Sequence, residues 1–156
     1  SSAASDVYKR QSSDIADHEP LMMKQVANTF GCDGGNQSPS LSWSNAPKGT
    51  KSFAISMYDP DAPTGSGFWH WLVVNIPSQQ RSFDGNSGLT LMNDAGIEGY
   101  LGACPPQGQR HRYLITLYAL DTDKLTVNSK TPNAVARFML NQHVIAKTTI
   151  MTIYAR

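Results

Sequence analysis

Residues 68–76, Phe-Trp-His-Trp-Leu-Val-Val-Asn-Ile, constrain the fold more than any other part of the chain. An aromatic and β-branched run of that length suits a central strand covered on both faces. Residues 113–120 and 148–154 read the same way. Residues 51–58 instead alternate, with Phe53, Ile55 and Met57 on one face and Ser52 and Ser56 on the other, the pattern of a half-buried strand. Clusters of Gly, Pro, Asn and Ser between these runs supply turns. One helix is expected late in the chain: Thr131 as N-cap, Pro132 in the first turn, then Val135, Phe138, Met139, Gln142 and Ala146 at helical spacing. Strands that do not alternate with helices exclude a doubly wound parallel sheet. The expectation is a mainly β fold, a β-sandwich with a C-terminal helix laid on the sheet by one face.

The chain has 156 residues, enough for one domain with a real core. Thirteen basic against twelve acidic residues leave a net charge of +1, which gives no electrostatic footprint for nucleic acid. No apolar run reaches 18 residues, so integral membrane association through a helix is not expected. Residues 1–17 read as a disordered leader, the first eleven of them vector- or assembly-derived in composition, with the domain spanning 18–156. Ser1 to Arg10 are small and polar and lack the apolar stretch of a signal peptide. The two cysteines, Cys32 and Cys104, cannot form a zinc site alone and belong to no C-x-x-C motif. One disulfide and two reduced thiols both remain open on these grounds.

Three segments set polar residues against strong strands. Asp59-Pro60-Asp61-Ala62-Pro63 follows the strand at 51–58 and holds two carboxylates at its end, with prolines that stop ladder pairing. His70 sits inside the apolar run. Residues 99–113 contain Cys104-Pro105-Pro106 and His111-Arg112-Tyr113. Taken singly, each has a plain alternative: a turn, a satisfied core histidine, a surface pair. Their joint occurrence in this order carries the argument.

In that combination the sequence resembles the phosphatidylethanolamine-binding protein family, and most closely its bacterial branch. The matching pieces are Asn36-Gln37-Ser38-Pro39-Ser40-Leu41-Ser42-Trp43, the Asp59–Pro63 box, the strand from Phe68 to Pro77, Gly99 through Pro106, and His111-Arg112-Tyr113. The connection between Pro77 and Asn93 is shorter than in the bacterial relatives, and Ala95 stands where those relatives often carry an aromatic residue.

The resemblance implies a β-sandwich with Greek-key connections and a small pocket near one end of the sheet, which in relatives holds phosphate, acetate, cacodylate or a phosphorylethanolamine head group. By position, Asp59 matches the buried pocket aspartate and His70 the strand histidine. His111 and Tyr113 match the second histidine and the ligand-contacting tyrosine. Gly102, Cys104 and Pro105 match the loop whose backbone approaches the anion, and Ala62 and Pro63 form part of the rim. A phosphate presents acceptor oxygens, so imidazolium groups, a tyrosine hydroxyl and loop N–H groups suit it as donors. Asp59 would orient a histidine, share a proton with the ligand or accept from an ethanolamine amine.

The resemblance also implies that Cys32 and Cys104 pair, which places the protein in the periplasm or another oxidising compartment, with the cytoplasm as the alternative. Closing a loop of roughly 70 residues would stabilise the fold by about 4 kcal/mol. The expected function is non-enzymatic binding of a small anion or phosphorylated group, by a monomer or homodimer. The alternative is a protein-interaction or inhibitor role through the same pocket, as relatives inhibit a kinase or a carboxypeptidase. A hydrolase ranks last: no nucleophile motif such as G-x-S-x-G is present, and the two histidines and Asp59 lack metal-ligand spacing. No catalytic residue, metal or cofactor is expected.

Overall fold

The structure, a computed structural model, describes residues 9–156. Nine strands form two sheets. The larger runs in the order β2 (Glu19–Pro20), β9 (Val144–Ala155), β8 (Arg110–Leu120), β4 (Ser52–Asp59), β5 (Phe68–Pro77), β7 (Leu89–Thr90). The smaller has three short strands, β1 (Lys9–Gln11), β3 (Leu41–Ser44) and β6 (Ser82–Phe83). All pairings are antiparallel except β2 with β9. β4 and β5 form a hairpin across the Asp-Pro box, and β8 returns beside β4, an order consistent with the Greek-key expectation. The connection after β5 crosses from one sheet to the other, since β6 pairs with β3 and β7 with β5.

Two apolar layers hold these parts together. Between the sheets pack Leu41, Trp43, Phe53, Ile55, Met57, Trp71, Val73, Phe83, Ile115 and Leu117. On the opposite face of the large sheet, Ala54, Leu72, Val74, Tyr118 and Leu120 meet Ala136 and Leu140 of the α-helix α1 (Asn133–Asn141). β5 is therefore covered on both faces, as its composition demands. So is β4, against the half-buried expectation: Ser52 and Ser56 are fully enclosed. Their hydroxyls find partners, Ser52 Oγ donating to Thr122 O at 2.6 Å and Ser56 Oγ bonded to the Tyr118 hydroxyl at 2.8 Å. A buried serine costs little once its hydroxyl is paired.

Three further expectations change. Thr131 does not cap α1; Pro132 occupies that position, and Thr131 Oγ1 accepts from the Asn128 N–H. The buried helix face is Asn133, Ala136 and Leu140, whereas Val135 and Phe138 are exposed and Ala146 already belongs to β9. The domain also begins before residue 18. β1 pairs with β3, Asp14 accepts from Ser40 N at 2.8 Å, Ile15 is buried, and Asp17 accepts from Met151 N at 2.9 Å. Polar composition had disguised this segment, because it joins the fold through backbone pairing and carboxylate bonds rather than a long apolar stripe. The first eight residues of the expected leader lie outside the described residues.

Candidate functional site

The end of β4, the start of β5, the start of β8 and the segment 101–106 converge at one end of the large sheet. There they enclose a cavity of about 480 Å³. All nine residues singled out from the sequence line it: Asp59, Ala62, Pro63, His70, Gly102, Cys104, Pro105, His111 and Tyr113. Register explains the convergence. His111 and Tyr113 share a face of β8, two residues apart, and Tyr113 follows from the pairing of Tyr58 with Leu114 to lie beside Asp59. Trp69 pairs with Tyr58 but Trp71 with Met57, so His70 is the extra residue of a bulge, which turns its ring inward.

Asp59 is the hub. Its Oδ2 accepts from His111 Nδ1 at 2.7 Å, and its Oδ1 accepts from the Asp61 N–H at 2.8 Å. Both side chains of the Asp59–His111 pair are about 4% exposed. His111 Nε2 lies 2.6 Å from Gln109 Oε1, so both ring nitrogens are engaged by side-chain partners. Asp61 braces the Asp-Pro box from outside by accepting from the Arg112 N–H, Nε and Nη2 at 2.8, 3.0 and 2.8 Å. Those bonds hold its carboxyl down at a pKa of about 2.

His70 and Tyr113 complete the polar floor. The His70 ring is buried between Phe68 and Tyr113, at centroid distances of 4.8 and 5.4 Å. Its Nδ1 donates to Leu101 O at 2.9 Å. Burial lowers its pKa below the ordinary value, and the Leu101 bond and the Asp59 charge oppose that without prevailing. A neutral His70 with Nδ1–H engaged presents Nε2 as an acceptor. This departs from the imidazolium donor expected from the sequence. Burial, then the neighbouring charge of Asp59, pushes the Tyr113 phenol up, so it is a neutral hydroxyl donor.

The loop also differs from expectation. The Gly102 N–H donates to Asn36 Oδ1 at 2.7 Å and is not available to a ligand. A Cβ at Gly102 would fall within 3 Å of Gln25 O, Ala27 N and Val26 C, so this glycine permits close approach to the segment below it. Among the described residues the N–H groups of Ala103 and Cys104 have no hydrogen-bond partner, and of the two only Cys104 lines the cavity. Cys104 is joined to Cys32 with a Cα–Cα distance of 5.9 Å. Arg156 reinforces the junction, donating to Gly31 O and Pro105 O at 3.1 Å each.

Beside Ala62, Pro63 and Ala95, which the sequence reading had singled out, the lining includes four apolar residues that it did not assign to the site: Phe30, Phe68, Leu101 and Pro106. Phe30 is 64% exposed and has a left-handed backbone at φ 57°. Its proximity to Cys32 was the available signal. Gln109, which meets His111, gave none. Among the described residues no cluster of His, Cys, Asp and Glu could hold a metal ion, and no helix is long and apolar enough to cross a membrane.

A β-sandwich with an acid–imidazole pair buried in a mostly apolar cavity, behind a disulfide-tied loop, defines a class of fold and site. Comparison with known proteins makes the class specific. The family described as Phosphatidylethanolamine-binding protein matches residues 11–155. The chain is 43% identical to the UPF0098 protein YbcL of Escherichia coli K12, over 98% of this chain and 90% of that protein. It is 42% identical to YbhB of the same organism, over 92% and 98%. The crystal structure of Escherichia coli YbcL, described as a new member of the mammalian family, superposes with a TM-score of 0.91, covering 96% of this chain and 99% of that one. A homologue from Chlamydia trachomatis, 27% identical, gives 0.82, with 96% and 98% covered. The chain belongs to the phosphatidylethanolamine-binding protein family.

Proposed function

We propose that the protein binds a small phosphate-bearing group in this cavity and performs no covalent chemistry on it. The observation that carries the reading is that Tyr113, Cys104 and the Asp59–His111 pair line one cavity. These groups bind and orient an anion. None is an activated nucleophile: Cys104 is oxidised, and the hydroxyl of Tyr113 is held in its neutral form. The exposed Phe30 at the rim supports a second reading, in which a protein partner carries the anionic group and buries that ring. The disulfide supports residence in an oxidising compartment.

Titration with phosphorylethanolamine, followed through the ring signals of His70 and His111 by NMR, tests the reading. Saturable shifts of both rings, lost in a Tyr113→Phe variant that keeps its fold, are expected. Rings that do not respond up to millimolar ligand would remove it.

A further inference from the structure

The tautomer of His70 limits what the cavity can accept. Leu101 O is a carbonyl and only accepts, so the proton of the buried ring resides on Nδ1. Nε2 then offers a lone pair. A fully deprotonated phosphate would set oxygen lone pairs against it, and would bring one negative charge more than the monoanion into a cavity lined by the Asp59 carboxylate. A ligand that donates one hydrogen bond and accepts several meets neither difficulty.

Resting on the phosphate-binding reading, we infer that the cavity selects the singly protonated phosphate monoester, whose P–O–H donates to His70 Nε2 while its other oxygens accept from the Tyr113 hydroxyl and the Cys104 N–H. No proton is transferred: the ester brings its own, and the ring stays neutral in the complex. His70 is thus the residue that reads the ligand's protonation state.

The surrounding groups agree with this assignment. From β4, Asp59 faces the ring but already accepts from His111 and Asp61. From β8 come His111, turned toward Asp59, and the neutral Tyr113. From the segment after β7, Asp94 adds a negative charge, its Oδ2 accepting from the Trp69 N–H at 2.8 Å. Both carboxylates favour a cationic ring, yet burial against Phe68 and Tyr113 outweighs them. Among the described residues no Lys or Arg lines the cavity, so its carboxylate surroundings disfavour a dianion more than a monoanion.

The test compares two probes of nearly the same size on the wild-type protein from pH 5.5 to 8.5. Methyl phosphate loses its second proton near a pKa of ~6; methyl sulfate is a monoanion throughout and has no proton to give. Methyl phosphate is expected to weaken roughly tenfold per pH unit above that pKa, as one linked proton requires. Methyl sulfate is expected to be pH-independent and at least tenfold weaker at pH 5.5. Ring ¹⁵N shifts of His70 should keep a protonated Nδ1 and a bare Nε2 in the complex. Equal affinity for both probes at pH 5.5, pH-independent binding of methyl phosphate, or a protonated Nε2 in the complex would overturn the inference while leaving phosphate binding intact. Failure of every probe, phosphorylethanolamine included, to shift either histidine would remove the phosphate-binding reading and this inference with it.

Discussion

Asp59 Oδ2 and His111 Nδ1 lie 2.7 Å apart at the closed end of the cavity, and neither side chain is more than about 4% exposed. Removing one member of so buried a pair strands the other without water to replace it. Asp59→Ala should therefore cost about 3–5 kcal/mol of folding stability, lowering the melting temperature by roughly 6–20 °C for a domain of this size. It should also abolish phosphorylethanolamine binding at temperatures where the variant remains folded. Calorimetry and an NMR titration check the two halves separately. A variant as stable as the parent would show that the pair contributes no net stability.

Asp61 and Arg112 hold the Asp-Pro box against β8 from the solvent side. Hydrogen bonds from Arg112 keep Asp61 ionised down to a pKa of about 2, below the ordinary 3.8. A carboxylate whose folded pKa is depressed contributes stability that is fully present above its unfolded value and disappears as pH falls through the folded one. The stability difference between wild type and Asp61→Asn should thus be constant above pH 5 and close between pH 4 and 2. Being largely solvated, the pair should make only a modest difference. Thermal melts across that range read it, and a gap independent of pH would mean that Asp61 acts through packing.

Gly102 tests how the loop is seated. A methyl group there would press on backbone atoms of Gln25, Val26 and Ala27 rather than on a flexible side chain. It would also push the Gly102 N–H off Asn36 Oδ1. Gly102→Ala should cost about 2–3 kcal/mol and weaken phosphate binding by displacing Cys104 and Leu101 from the cavity. Loss of stability with unchanged binding would separate the loop seat from the site.

Much of this site was legible because its residues sit in short local boxes at strand ends: Asp59 after β4, His70 in β5, His111 and Tyr113 at the start of β8. Local spacing does not reveal what the far side of a residue touches. Gly102 was read as approaching a ligand, but its neighbours Gln25 to Ala27 and Asn36 are distant in sequence. His70 was read as a donor because its carbonyl partner, Leu101 O, lies on another segment. The same blindness hid β1, β2, β6 and β7, strands of two or three residues that exist only through their pairing.

The helix α1 shows the limit most clearly, since two sets of positions at helical spacing compete there. Val135, Phe138 and Met139 form the more apolar set, yet the buried set is Asn133, Ala136 and Leu140. Asn133 decides the phase, because its Nδ2 donates to Met92 O and brings the first turn against the sheet. Ala136 then allows close approach, and Leu140 fills the space among Ala54, Leu72, Val74 and Leu120. Leu140→Ala should cost about 2–5 kcal/mol through the cavity it leaves. Phe138→Ser, at a side chain 69% exposed, should change stability by no more than about 0.5 kcal/mol. Urea unfolding of the two variants measures the contrast directly. If Phe138→Ser proved the costlier of the two, the exposed face of α1 would be packed against something in solution, and a second copy of the chain is the first occupant to test by sedimentation.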